Sequence, residues 1–204
     1  EAPMRSSRVL APLAALAAAA LMPVLSAAED RGAAASRAVN LSALQPTLIQ
    51  QAAKAACFAS LGGSTAEADV GDIRWSMDQF ARVQAGLREG SRALGLVAEE
   101  DPRLLGALDG LDREAGKLTS VLNSAAASGK ISDDLLGRVA RFSEPAYQEA
   151  QRVARRIEKL HGQGKSLPLS VTLKISLGAR QRVMSQTMAK QACMIARGIE
   201  VEAH

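Results

Sequence analysis

Beyond residue 35 the apolar positions of the chain recur every three to four residues. Val70, Ile73, Met77, Phe80, Val83, Leu87 and Leu94 keep that spacing in one stretch, and Leu104, Leu108, Leu111, Ala115, Leu118 and Leu122 keep it in the next. This is the stripe of a core-facing helix. Breakers separate the stretches: Gly62-Gly63-Ser64-Thr65, Asp101-Pro102, Ser128-Gly129-Lys130 and Gly162-Gln163-Gly164-Lys165. The pattern predicts five helices, over about 36–61, 66–98, 102–128, 133–161 and 168–198. Pro102 suits a first helical turn, Ser132 with Asp133 and Asp134 suits a cap, and Pro145 predicts a kink in the fourth helix. Long helices joined by short connections are antiparallel neighbours. The expected fold is therefore all-α, an elongated up-down bundle of four to five long helices.

The segment upstream has a different character. Arg5 and Arg8 precede an apolar run from Val9 to Leu25, and Ser26-Ala27-Ala28 places small residues at a cleavage position. Residues 4–28 read as a secretory signal peptide, leaving 29–204 as a single domain with a periplasmic or extracellular destination. The run is short for a membrane span and contains Pro12 and Pro23; an uncleaved, tethering signal is the rival reading.

Composition narrows the chemistry. Among 204 residues there are only three Phe, one Trp and one Tyr, against 48% hydrophobic residues overall, which disfavours sheet architectures. A net charge of +4 with so few aromatics offers no platform for base stacking, so no nucleic-acid partner is expected. Two His and two Cys, without CxxC or HExxH spacing, leave no metal or cofactor site and no catalytic triad. No enzyme is expected. Arg152, Arg155, Arg156 and Lys159, interleaved with Glu149 and Glu158, read as a solvated helix face.

The chain also repeats itself. Residues 39–57 align without a gap on residues 175–193, pairing Leu41 with Leu177, Ala43 with Ala179, Gln45 with Gln181, Gln50 with Gln186, Ala53 with Ala189, Lys54 with Lys190, Ala56 with Ala192 and Cys57 with Cys193. Gly62 and Gly198 follow in the same register. The first and fifth helices are thus expected to be copies of one element. In an up-down bundle both point the same way, and in-register packing sets Cys57 against Cys193. Cα atoms about 4.4–6.8 Å apart can be bridged, and export favours a disulfide over the alternative of two buried thiols.

Within the second copy, residues 179–190 read ARQRVMSQTMAK, which resembles the GRQRMLSQRMAK stretch of the NarX/PilJ-like sensor domain, the N-terminal region of type IV pili methyl-accepting chemotaxis transducers and nitrate/nitrite sensor kinases. The resemblance rests on about a dozen positions. It implies a periplasmic sensory bundle, often dimeric, whose motif helix lines the ligand site. In the nitrate-sensing branch an Arg of the motif from each subunit contacts the anion, and Arg182 falls on it. Arg180 lies in the same motif. Gly178-Ala179 reverses the family's order and Thr187 replaces its second basic residue. The first copy carries Leu44 and Pro46 where Arg180 and Arg182 stand, so a two-Arg site requires a homodimer that juxtaposes two fifth helices.

On a helix turning about 100° per residue, Arg182, Ser185, Gln186, Ala189 and Cys193 share one face. Leu173, Leu177, Met184, Met188, Ile195 and Ile199 lie nearly opposite and read as core. A guanidinium with a hydroxyl and an amide suits a planar oxyanion, making Arg182, Ser185, Gln186 and Arg180 the expected ligand set. The expectation is an exported sensory bundle that takes a small anion, nitrate or nitrite, as an accessory to chemotaxis or two-component signalling. The alternative is an interaction bundle that docks a periplasmic or membrane receptor partner and takes no small molecule.

Overall fold

In the computed structural model, which describes residues 13–128, 130–161 and 167–199 with side chains from Gly32 onward, the chain forms five helices. They are α1 (Leu13–Leu61), α2 (Ala66–Glu89), α3 (Pro102–Ser128), α4 (Asp133–His161) and α5 (Leu169–Ala196). Side-chain cross-links give their directions. Arg74 reaches the Ala126 carbonyl while Arg88 reaches Asp112, so α2 and α3 are antiparallel. Arg197 pairs with Asp133 at one end of α5 and Ser176 meets Glu158 toward the other, so α4 and α5 are antiparallel as well. The expected all-α, up-down bundle is the observed fold.

The core seams follow from sequence spacing. In α4 the buried positions are Leu136, Val139, Ser143, Ala146, Ala150, Val153 and Ile157, and in α3 they include Leu104, Leu108, Leu111, Ala115, Leu118 and Leu122. Both sets alternate three- and four-residue steps, the spacing that keeps one stripe facing a neighbour. α1 behaves differently. Around Leu48, Ile49, Ala52, Ala53, Ala55, Ala56 and Cys57 it is buried on every side, because α2, α4 and α5 all pack on it. Small side chains on this central helix let three neighbours approach at once.

A chain of polar groups crosses this core. Gln45 Nε2 donates to Gln84 Oε1, and Gln84 Nε2 donates in turn to the Leu108 carbonyl and to Asp112, which also receives Arg88. Both glutamines are buried, and the links satisfy the Gln84 amide and the Gln45 Nε2, while Gln45 Oε1 has no partner among the described residues.

Three boundaries or faces differ from expectation. α1 begins at Leu13 rather than near Ser36. The intervening run is dominated by Ala and Leu, the strongest helix formers, so helix continues upstream. The expected signal segment, residues 4–28, lies partly outside the described residues, and its described part runs into α1. The Gly162–Lys165 break also lies outside them.

α2 ends at Glu89, well short of Ala98. Gly90 takes φ +80° and its N–H returns to the Gly86 carbonyl, closing the helix. A tight loop follows, held by reciprocal backbone bonds between Ser91 and Leu96 with Gly95 at φ +62°. Leu94 and Leu96 fold back over Gly86, where an added Cβ would come within 3.0 Å of either. Leu94 therefore belongs to the loop and not to the α2 stripe. α4 runs through Pro145 without ending.

The third difference concerns α5. Leu173, Leu177, Met184, Met188 and Ile195, expected in the core, are 52–68% exposed. Only Ile199 of that set packs against the core. The four helices α1 to α4 already close the hydrophobic interior, and α5 lies against α1 by its small-residue face, which turns the Leu/Met stripe outward.

Candidate functional site

The α1–α5 contact is built from the repeat. A Cys57–Cys193 disulfide joins the helices across 136 residues of sequence, with Cα atoms 6.1 Å apart. Ala43 and Pro46 of α1 meet Ala179 and Val183 of α5 at the rim of one cleft, preserving the same offset between Ala43 and Ala179 as between the cysteines. Helices one and five thus run parallel and in register. Small residues at Ala53, Ala189 and the two cysteines allow the close approach a bridge requires.

The equivalent Gln50 and Gln186 lie between the Ala179 and Cys193 levels of the repeat. Gln50 is fully buried with neither amide atom hydrogen-bonded, and Gln186 Oε1 is likewise unpartnered.

On one side of the seam, residues of α1, α4 and α5 line a cleft of about 330 Å³. Arg155 and Arg180 both line it, together with Ser176, Gln151 and Glu158 over an apolar wall that includes Leu173 and Pro46. Glu158 accepts the Ser176 hydroxyl at 2.8 Å, and Arg155 donates to Gln151 at 2.8 Å. Among the described residues, no carboxylate lies within ion-pair distance of either guanidinium. Two guanidinium groups with free donors can hold a planar anion in bidentate fashion.

The expected ligand set is divided by this geometry. Arg180, exposed like Arg182 and Ser185, lines the cleft and those two do not, while Gln186 is half-buried with its Oε1 unpartnered. Arg155, grouped with a solvated face in the sequence, is exposed and also lines the cleft. Its neighbours do behave as surface: Arg152 pairs with Glu149, and Arg156 donates to the Arg103 carbonyl. Helical periodicity places residues around one helix but not relative to a second helix, so Arg155 and Arg180 could not be matched from sequence.

A further residue escaped the sequence reading. Lys190 is 3% exposed, with its ammonium 3.5 Å from Ser143 Oγ. Burial pushes its pKa below 10.5, against an opposing pull from the negative charge of Glu144. Its repeat mate Lys54 is only half-buried and lies over the Phe58 ring at 5.9 Å. The Lys54/Lys190 match was visible in the repeat, but nothing in it distinguished the buried copy.

Among the described residues, no helix is long and apolar enough to cross a membrane, and no cluster of three His, Cys, Asp or Glu could hold a metal ion. Comparison with protein-family models, curated proteins and solved structures finds no match to this chain.

Proposed function

We propose that this chain is an exported sensory bundle of the class its motif resembles, and that it takes a small planar oxyanion such as nitrate or nitrite between α4 and α5. The observation that carries the reading is that Arg155 and Arg180 line one cleft, with no carboxylate among the described residues paired to either. Ser176 donates its hydroxyl proton to Glu158 at the same place, and that carboxylate limits the space to a small ligand held by the two guanidinium groups. Arg180 belongs to the motif helix, so the anion would bridge the duplicated element to α4. Such a bridge would report occupancy as a change in α4–α5 spacing. Arg182, which does not line the cleft, remains free to serve a second copy or a receptor.

Calorimetric titration of nitrate and nitrite into the wild type, Arg180→Ala, Arg155→Ala and Arg182→Ala proteins tests this. The expected result is binding lost in the first two variants and kept in the third. Equal heats in all four proteins, or none in the wild type, reject the cleft as the anion site.

A second reading rests on a different observation, the outward Leu173, Leu177, Met184, Met188 and Ile195 stripe. A contiguous apolar face on a water-exposed helix marks a docking surface, which suits an interaction bundle that engages a periplasmic or membrane partner without a small-molecule ligand.

A further inference from the structure

Farther along the same α4–α5 gap, about ten residues or roughly 15 Å beyond Arg180 on α5, lies a larger cleft of about 860 Å³. Lys190 lines it from α5 and Glu144 from α4, and its apolar wall includes Met194 and Ile199. Lys190 is almost wholly withdrawn from water, yet among the described residues no carboxylate lies within ion-pair distance of its ammonium. Its nearest polar contact is a long one, to Ser143 Oγ at 3.5 Å. A second polar group at the same cleft is also unsatisfied: Thr187 Oγ1 is buried without a partner. A buried cation and an orphaned hydroxyl on one wall, beside an apolar surface, form an incomplete set of interactions.

We propose that this cleft is a second ligand pocket, taking a small organic acid whose carboxylate sits on Lys190 and Thr187 while its short apolar chain lies on Met194 and Ile199. The ammonium requires a negative partner, and the hydroxyl can donate to the second carboxylate oxygen. The apolar wall selects an organic acid over an inorganic anion. Glu144, whose Oε1 accepts Gln148 Nε2 at 2.7 Å, stands at the same cleft and disfavours a second negative charge on the ligand. A monocarboxylate fits this arrangement better than a dicarboxylate. The site uses neither Arg155 nor Arg180, so it stands or falls separately from the planar-anion reading.

The test is thermal unfolding and calorimetry of the full chain with sodium butyrate, with sodium chloride and sodium succinate as controls. Butyrate is expected to raise the melting temperature with increasing concentration, as any ligand of the native state must, and succinate to do so less. Lys190→Met should weaken butyrate binding about 10- to 100-fold, the range for loss of a charge-assisted hydrogen bond. Arg180→Ala should bind butyrate like the wild type. Thr187→Val, a change at the cleft wall that leaves the cation in place, should weaken binding by a smaller factor and serves if the Lys190 variant does not fold. Absence of a butyrate effect in the wild type overturns the proposal. So does an equal effect in Lys190→Met, or in Thr187→Val where only that variant folds.

Discussion

Removing the bridge between α1 and α5 should change stability by an amount that follows from chain length. The Cys57–Cys193 link spans 136 residues, and in the chain-entropy model a closed loop of that size stabilises the folded state by roughly 5 kcal/mol at room temperature. That is a large share of the roughly 5–15 kcal/mol that holds a domain folded. For a domain of this size it corresponds to a melting temperature lower by about 10–20 °C. The substitution to make is Cys57→Ala with Cys193→Ala, which keeps both positions small and leaves no lone thiol. Both sulfurs are buried, so dithiothreitol acting on the native wild type should be slow, and reduction should need partial denaturant. Urea unfolding, followed by circular dichroism, measures the loss. Hydrogen exchange should also localise it, because α5 buries only Thr172, Lys190, Cys193 and Met194, and its amides should exchange before those of α3 and α4. A double variant that unfolds at the wild-type urea concentration, or free thiols in the unreduced wild type by intact mass, would refute the reasoning.

The outward stripe gives a prediction of opposite sign. Met184→Ser and Met188→Ser should each change unfolding free energy by less than about 0.5 kcal/mol, as at an ordinary surface; a loss of about 2–5 kcal/mol would return these residues to the core. Lys190 gives a pH dependence. Burial lowers its folded pKa below the 10.5 of the unfolded chain, so between the two values the unfolded state binds more protons. Stability therefore rises with pH through that window, and below it the full destabilisation of the buried cation is present. Lys190→Met should be more stable than wild type at neutral pH, and the difference should shrink at alkaline pH. The other ionisable groups at this cleft, Arg141, Glu144 and Tyr147, and Lys54 on α1, are common to both proteins and cancel in the comparison. A difference that does not vary between neutral and alkaline pH contradicts this account.

Much of this architecture was legible in the sequence, for identifiable reasons. Three-four spacing in α3 and α4 reports directly on which face is buried, and the gap-free repeat carried the direction and register of α1 against α5, and with them the cysteine pairing. The exposed stripe was misread because hydropathy describes one helix at a time. Met184 and Met188 are apolar whether or not a neighbour covers them, and the small face bearing Ala189 and Cys193 was the one that α1 took. The end of α2 was misread because Leu94 sits in phase with Leu87, while the decisive signal was the Gly90 and Gly95 pair that turns the chain. Of the expected ligand residues, Arg180 reaches a cleft and Arg182 does not, a distinction that depends on where α4 lies.

The bridge between the first and last helices has a consequence for how the molecule is made. With only two cysteines in the chain, oxidation has a single intramolecular product, so no shuffling among isomers is required. The second sulfur follows α2, α3 and α4 in the chain. The covalent step therefore cannot precede the synthesis of α2, α3 and α4, and it closes the chain back onto α1.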